Sequence, residues 1–223
     1  MTTEDITTRD ADSPQRHGRM AVALAAVGIV LACGAAVFEF ELKDRLIAKR
    51  WGVVEEGAIY RSGQLSRHLI KSQLQQHGIQ VVIDLTEEDR ADEDQRAERW
   101  TIAELGIEAH RFPLTGDGTG DVRRYAEAVA AMVTAKRGGK PVLVHCHAGA
   151  QRTGGVVAAY RLLVERTRTP VEVSAELARF GWQRGRDDVL LDFLNAHLEE
   201  LAGLLVERGI IDDVPSPLPR LVR

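Results

Sequence analysis

Apolar positions are distributed along this chain in three ways. From Met1 to Arg19 they are sparse among Thr, Asp, Pro and Arg, a composition that does not build a core. From Met20 to Phe38 they form one uncharged run, MAVALAAVGIVLACGAAVF. From Trp51 onward short apolar runs alternate with segments of helical period, as in a globular α/β domain. There the pattern predicts a short strand and turn over Ala58 to Gln64 and a helix over Ser66 to His77 with Ser66 as its cap. A buried strand over Gln80 to Leu85 follows, then a helix over Ala91 to Leu105 that stops at Gly106. Further on come a strand over Glu108 to Phe112, a helix over Val122 to Thr134 capped by Asp121, and a buried strand over Pro141 to Val144. Helices then run from Thr153 to about Glu165, from Val171 to Phe180 and from Val189 to Leu205. Alternating strands and helices predict an α/β fold with a central mostly parallel or mixed sheet flanked by helices.

These shifts divide the chain into a disordered tail over 1–19, a membrane-spanning or signal-anchor helix over 20–40, a catalytic domain over 51–212 and a Pro-rich tail over 213–223. A helix of about 20 apolar residues spans a bilayer. The sequence around Cys33, Val30-Leu31-Ala32-Cys33-Gly34 after Arg16 and Arg19, also fits a lipoprotein signal with lipid on Cys33. Apolar character continuing past Cys33 favours the span. Arg9, Arg16 and Arg19 on one side nearly balance Lys43, Arg45, Lys49 and Arg50 on the other, so basic residues do not fix the orientation. Reactive thiolates survive best in a reducing compartment, which favours a cytoplasmic domain.

The net charge of −4, with both signs well mixed, points away from nucleic acid as a partner. Cys33 and Cys146 are the two cysteines, so a disulfide framework is not indicated.

The chemistry concentrates in Val144-His145-Cys146-His147-Ala148-Gly149-Ala150-Gln151-Arg152-Thr153-Gly154. This stretch joins a predicted strand to a predicted helix. A free thiol has a pKa of about 8.5, and a helix N-terminus together with Arg152 would lower it. A loop of this length can curl the N–H groups of His147, Ala148, Gly149, Ala150 and Gln151 around a tetrahedral anion. The planar fork of Arg152 can grip two of that anion's oxygens. A metal reading of His145-Cys146-His147 is set aside, because neighbours on a strand point to opposite faces and no second ligand cluster is visible. No metal and no cofactor is called for.

The run His145 to Gly154 resembles the signature loop of the protein tyrosine phosphatases, especially the dual-specificity branch of bacterial type. Tyr60-Arg61-Ser62-Gly63-Gln64 through Val81-Val82-Ile83-Asp84-Leu85 extends the likeness over most of residues 51 to 200. The resemblance implies the cysteine-phosphatase fold, Cys146 as nucleophile, Arg152 as phosphate clamp, Thr153 as the hydroxyl that stabilises the departing thiolate, and His145 as an orienting residue. It also implies a general-acid aspartate on an upstream loop. Phe112 to Asp121 offers two, Asp117 and Asp121. Asp121 precedes a helix and suits an N-cap, whereas Asp117 lies among glycines without such a duty, so Asp117 is preferred.

The expected activity is metal-independent hydrolysis of a phosphomonoester, on a phosphorylated protein or a small phosphoester, through a phosphocysteine. His147 and Ala150 stand where phosphoinositide-type members of the family carry lysines, which disfavours a polyphosphorylated head group. Arg61, Arg184 and Arg186 are candidates for the pocket rim and Trp182 for an aromatic wall. The rival readings are a phosphoinositide phosphatase, a sulfurtransferase or arsenate-reductase-like cysteine enzyme, and a catalytically silent phosphate-binding module.

Overall fold

The computed structural model describes residues 24, 27–32 and 46–222. The chain divides into two units, Met1–Lys43 and Asp44–Arg223. In the first, the described residues are helical and exposed. Most of the expected 20–40 span, Cys33 and all of the 1–19 tail lie outside the described residues. Among the described residues, no helix is long and apolar enough to cross a membrane.

The second unit carries a five-stranded sheet: β1 (Gly52–Glu55), β2 (Ile59–Gly63), β3 (Val81–Asp84), β4 (Glu108–Arg111) and β5 (Val142–Cys146), in the order β1-β2-β5-β3-β4. Only β1 runs antiparallel to its neighbour; β2, β5, β3 and β4 are mutually parallel. The helices are α1 (Ile70–Gln76), α2 (Glu93–Leu105), α3 (Val122–Arg137), α4 (Gln151–Tyr160), α5 (Pro170–Arg179) and α6 (Asp188–Glu207).

The unbroken apolar runs of the inner strands follow from burial on both faces. Successive side chains point to opposite sides. Ile59, Val81, Ile83, Val142 and Val144 pack with Tyr125, Val129 and Met132 of α3, Val156 of α4 and Leu190 and Leu194 of α6. Tyr60, Val82 and Leu143 face the other way, onto Ile70 and Leu74 of α1, with Ile102 and Leu105 of α2 packed against them. Asp92 caps α2, accepting from the N–H groups of Asp94 and Gln95, and Gly106 ends it in the left-handed region.

The sequence pattern did not show β1, it ended β5 at Val144 rather than Cys146 and began α4 at Thr153 rather than Gln151, and three further features differ from it. The hydroxyl of Ser66 does not cap α1; its carbonyl accepts from Leu69 and Ile70 N–H, and the helix proper begins at Ile70. The helix after the signature loop changes at Arg161 to one π-type turn, Arg161–Glu165, where the buried Arg161 guanidinium reaches Glu165, Glu176 and the Val54 carbonyl. The Pro-rich tail folds back onto the domain: Leu221 is buried and exchanges two hydrogen bonds with Asn195 of α6, and Val222 N–H donates to Ser174 of α5.

Parallel pairing brings the carboxyl ends of β2, β5 and β3 together. Gly63 stands opposite Cys146, and Asp84 opposite His145. In open α/β sheets this end is where ligands bind.

Candidate active site

Cys146 ends β5 and is 1% exposed. The chain then loops through His147, Ala148, Gly149 and Ala150 and enters α4 at Gln151. Ala150, the residue before the helix, makes no side-chain cap. The first N–H groups of α4 are thus left for whatever anion the loop holds.

For loop N–H groups to point inward, the carbonyls must point outward and find partners elsewhere. Each does. The His147 carbonyl accepts from Gln64 N–H at 3.1 Å, and that of Ala150 from Gly154 N–H at 2.7 Å. The Ala148 carbonyl accepts from Arg50 Nη1 at 2.8 Å, and that of Gly149 from Arg61 Nη2 at 2.9 Å. Gly149 makes the curl possible. Its φ is +74°, and a Cβ there would lie 2.5 Å from the Gly63 nitrogen.

Gly149 N–H donates to the Cys146 sulfur at 3.2 Å. Burial pushes the Cys146 thiol up, but the hydroxyl and N–H of Thr153, the charge of Arg152 and the N–H of Gly149 outweigh it and bring the thiol below its ordinary value. Thr153 is fully buried at the start of α4. Arg152 is half-buried, and its Nε has no hydrogen-bond partner among the described residues. His147 is exposed beside the loop, and Gln151 is half-buried.

Behind the cysteine, Nε2 of buried His145 lies 3.2 Å from Oε2 of Glu98, also buried. Burial pushes the imidazole down, but the Glu98 and Asp84 carboxylates and the Cys146 thiolate prevail and raise it to about 9. Glu98 also accepts from Gln64 Nε2, so it joins α2, the end of β2 and β5. Possible ligand atoms of Asp84, Glu98 and His145 lie within 4.8 Å of one another. Nothing in the local sequence pattern signals this cluster. It carries its own cations: Arg111 sits 2.9 Å from Asp84, and the imidazolium faces Glu98. Such internal compensation suits an ion-pair network and leaves no excess negative charge to hold a metal.

The structure separates the two aspartates. Asp121 Oδ1 accepts from Arg123 N–H at the start of α3, as an N-cap does. Asp117 is exposed in the preceding turn, where Oδ1 accepts from the N–H and hydroxyl of Thr119. That turn abuts the start of α4, since a Cβ built on Gly118 would lie 3.1 Å from the Gln151 carbonyl carbon. The hydroxyl of buried Tyr125 donates to the Gly118 carbonyl and ties the turn down. Burial first, and then the charges of Cys146 and Asp117, hold the Tyr125 phenol far above its ordinary value.

The rim candidates take up different places, two of them against the loop: Arg61 donates to the Gly149 carbonyl, and the Asp187 that pairs with Arg186 also meets the Gln151 side chain. Arg61 lies beneath the loop, fully buried, with its guanidinium 3.9 Å from the centre of the Phe180 ring. Burial pushes Arg61 down to about 10, against the opposing pull of Glu176 and Cys146, so it stays cationic at neutral pH. Trp182 is buried in the core, its indole N–H on the Asp187 carbonyl, and so forms no pocket wall. Arg186 is exposed and pairs with Asp187. The sequence pattern placed none of Arg50, Glu98 and Tyr125 at the site. The Tyr60-Arg61-Ser62-Gly63-Gln64 run was the one local signal for Arg61 and Gln64.

The model of a family described as "DSP-PTPase phosphatase fused to NAD+ Kinase" matches residues 35–187. The dual specificity protein phosphatase OPG106 of Vaccinia virus (strain Copenhagen) is 31% identical over 75 residues. That match takes in 33% of this chain and 44% of the viral protein, so the chain spans less than half the length of this curated relative. Among solved structures, P. aeruginosa TpbA has a TM-score of 0.56 at 20% identity, over 71% of this chain and 91% of its own. The core catalytic domain of the PP-IP phosphatase SIW14 from S. cerevisiae has a TM-score of 0.57 at 16% identity, over 78% of this chain and 98% of its own. At these identities the structures speak for the fold alone. The family match covers most of the chain and includes the signature loop: this chain belongs to the family described as DSP-PTPase phosphatase fused to NAD+ kinase, and with it to the dual-specificity-type protein tyrosine phosphatases.

Proposed function

We propose that the chain hydrolyses phosphomonoesters in two steps, with a phosphorylated protein side chain as the favoured substrate. In the first step the Cys146 thiolate attacks phosphorus, the P–O bond to the leaving group breaks, and Asp117 gives that oxygen its proton. In the second, Asp117 takes a proton from water, the water oxygen attacks the phosphocysteine, and phosphate leaves as the thiolate reforms. Arg152 and the loop N–H groups are aimed at the equatorial oxygens, where charge spreads in both transition states. Thr153 steadies the departing thiolate.

The observation that carries this reading is the seat of Cys146, whose sulfur accepts from Gly149 N–H at the floor of a loop whose carbonyls are all tied outward. Local charge favours a single phosphate. The cleft beside His147, about 150 Å³ and lined by Lys49, Gln64 and Ser66, also holds the carboxylates of Asp92 and Asp94. A second phosphate placed there would meet two like charges. This weighs against the PP-IP phosphatase activity named for SIW14, and against a substrate like the PI(5)P in the structure of PTPMT1, a fold neighbour with a TM-score of 0.50 at 18% identity.

A turnover panel on the full chain tests the proposal. Phosphotyrosine and phosphothreonine peptides should be cleaved faster than phosphoinositides and inositol pyrophosphates. Faster cleavage of either inositol class would overturn the preference, and no turnover of any ester would overturn the phosphatase reading itself. The uncharged run from Met20 to Phe38 supports attachment to a membrane. Sedimentation with membranes after alkaline carbonate extraction is the expected result, and release into the supernatant would contradict it.

A further inference from the structure

The peptide group that joins Ala148 to Gly149 has a partner at both ends. Its N–H meets the Cys146 sulfur at 3.2 Å, and its carbonyl accepts from Arg50 Nη1 at 2.8 Å. A cation on one side of this single planar group thus faces the thiolate on the other. We propose that Arg50 is a positioning residue for the reaction, orienting and polarising a peptide group whose N–H touches the cysteine sulfur.

Four observations support this beyond the contact itself. Hydrogen bonds in a chain polarise one another, and a charged donor strengthens the next bond along. Arg50 is held in place by its backbone: its φ is +47°, a region that non-glycine residues seldom occupy and that collects at functional sites. The neighbouring Lys49 carbonyl accepts from Gly63 N–H at 2.7 Å, which fixes this segment to the end of β2, opposite Cys146. Gly181 leaves the room the guanidinium occupies, since a Cβ there would lie 2.7 Å from Arg50 Nε. Arg61 does the same for the next peptide group from inside the fold, through the Gly149 carbonyl. Arg50 is exposed and Arg61 is buried, so Arg50 can be changed without opening the core.

The inference rests on the cysteine-phosphatase reading, and its test has one arm that does not depend on turnover. Arg50→Ala and Arg50→Lys are compared with the wild-type full chain by three measurements: the pH dependence of iodoacetate alkylation at the Cys146 peptide, orthovanadate inhibition of aryl phosphate hydrolysis, and thermal melting. Arg50→Ala is expected to move the alkylation midpoint upward and to weaken vanadate about tenfold, with melting close to wild type. Arg50→Lys, which keeps the charge but not the fork, should recover part of both losses. An Arg50→Ala protein with wild-type alkylation midpoint and vanadate sensitivity overturns the proposal. A wild-type chain that turns over no phosphoester would instead sink the phosphatase reading, and the alkylation midpoints would still decide the role of Arg50.

Discussion

Oε2 of Glu98 lies 3.2 Å from Nε2 of His145, and the two side chains are sealed from solvent directly behind Cys146. A buried imidazolium is costly unless a carboxylate faces it. With Glu98 and Asp84 in place, His145 is raised to about 9 and stays charged across the neutral range. A group raised in the folded state contributes stability that is complete below its unfolded value, about 6.5, and lost as pH rises through its folded value. The Glu98–His145 pair should therefore stabilise fully below pH ~6.5 and fade toward pH ~9. Glu98→Gln should lose about 3 kcal/mol at pH 6, in line with the breaking of a buried pair. The gap between the two melting curves should close as pH rises to 9. A gap that stays constant from pH 6 to 9 would show that His145 is not charged in the fold.

Asp117 and Asp121 sit at the two ends of one short turn, and their hydrogen bonds separate their duties. Asp117→Asn should slow hydrolysis of esters with poor leaving groups by about 10²-fold or more, while activated aryl esters change little, because general acid catalysis matters most where the leaving oxygen is basic. Asp121→Asn should keep the cap and leave the leaving-group dependence unchanged, whereas Asp121→Ala should cost about 1 kcal/mol of stability. A leaving-group effect that appears in the Asp121 variants and not in Asp117→Asn would reverse the assignment.

The inner strands were legible because they are buried on both faces, and runs such as Val81-Val82-Ile83 and Val142-Leu143-Val144 show this without any knowledge of their partners, whereas the edge strand β1, mostly unburied, left no such run. The signature loop was legible for a related reason: nucleophile, arginine and supporting hydroxyl are neighbours in the chain. What escaped is what acts across the sheet. Arg50 and Ala148 are separated by 98 positions, and Arg61 and Gly149 by 88. A local pattern sees Arg61 as a polar residue in a turn, and only the pairing of β2 with β5 puts it under the loop. Glu98 reads as one charge among many along a charged helix, yet it shares the buried face with Gln95 and Thr101 and turns toward His145. The tail after Gly209 has the prolines of a disordered end, but Leu218 and Leu221 pack on the core and Asn195 and Ser174 hydrogen-bond its backbone.

Gly149→Ala tests how tightly the curl is specified. Its positive φ and the close approach to Ser62 and Gly63 leave no space for a methyl group. Strain of this kind costs about 1–3 kcal/mol before any clash is relieved. The variant should melt at lower temperature and bind vanadate poorly, and near-wild-type values of both would mean that the loop can be built another way.

The central claim is that the Cys146 thiol is held below its ordinary value under a cradle made to hold an oxyanion. Alkylation by iodoacetate, followed at the Cys146 peptide by mass spectrometry across pH 4 to 10 with and without orthovanadate, tests it directly. The account predicts a midpoint well below the free-thiol value of about 8.5 and full protection by vanadate. A midpoint at or above that value, with no protection, would contradict it.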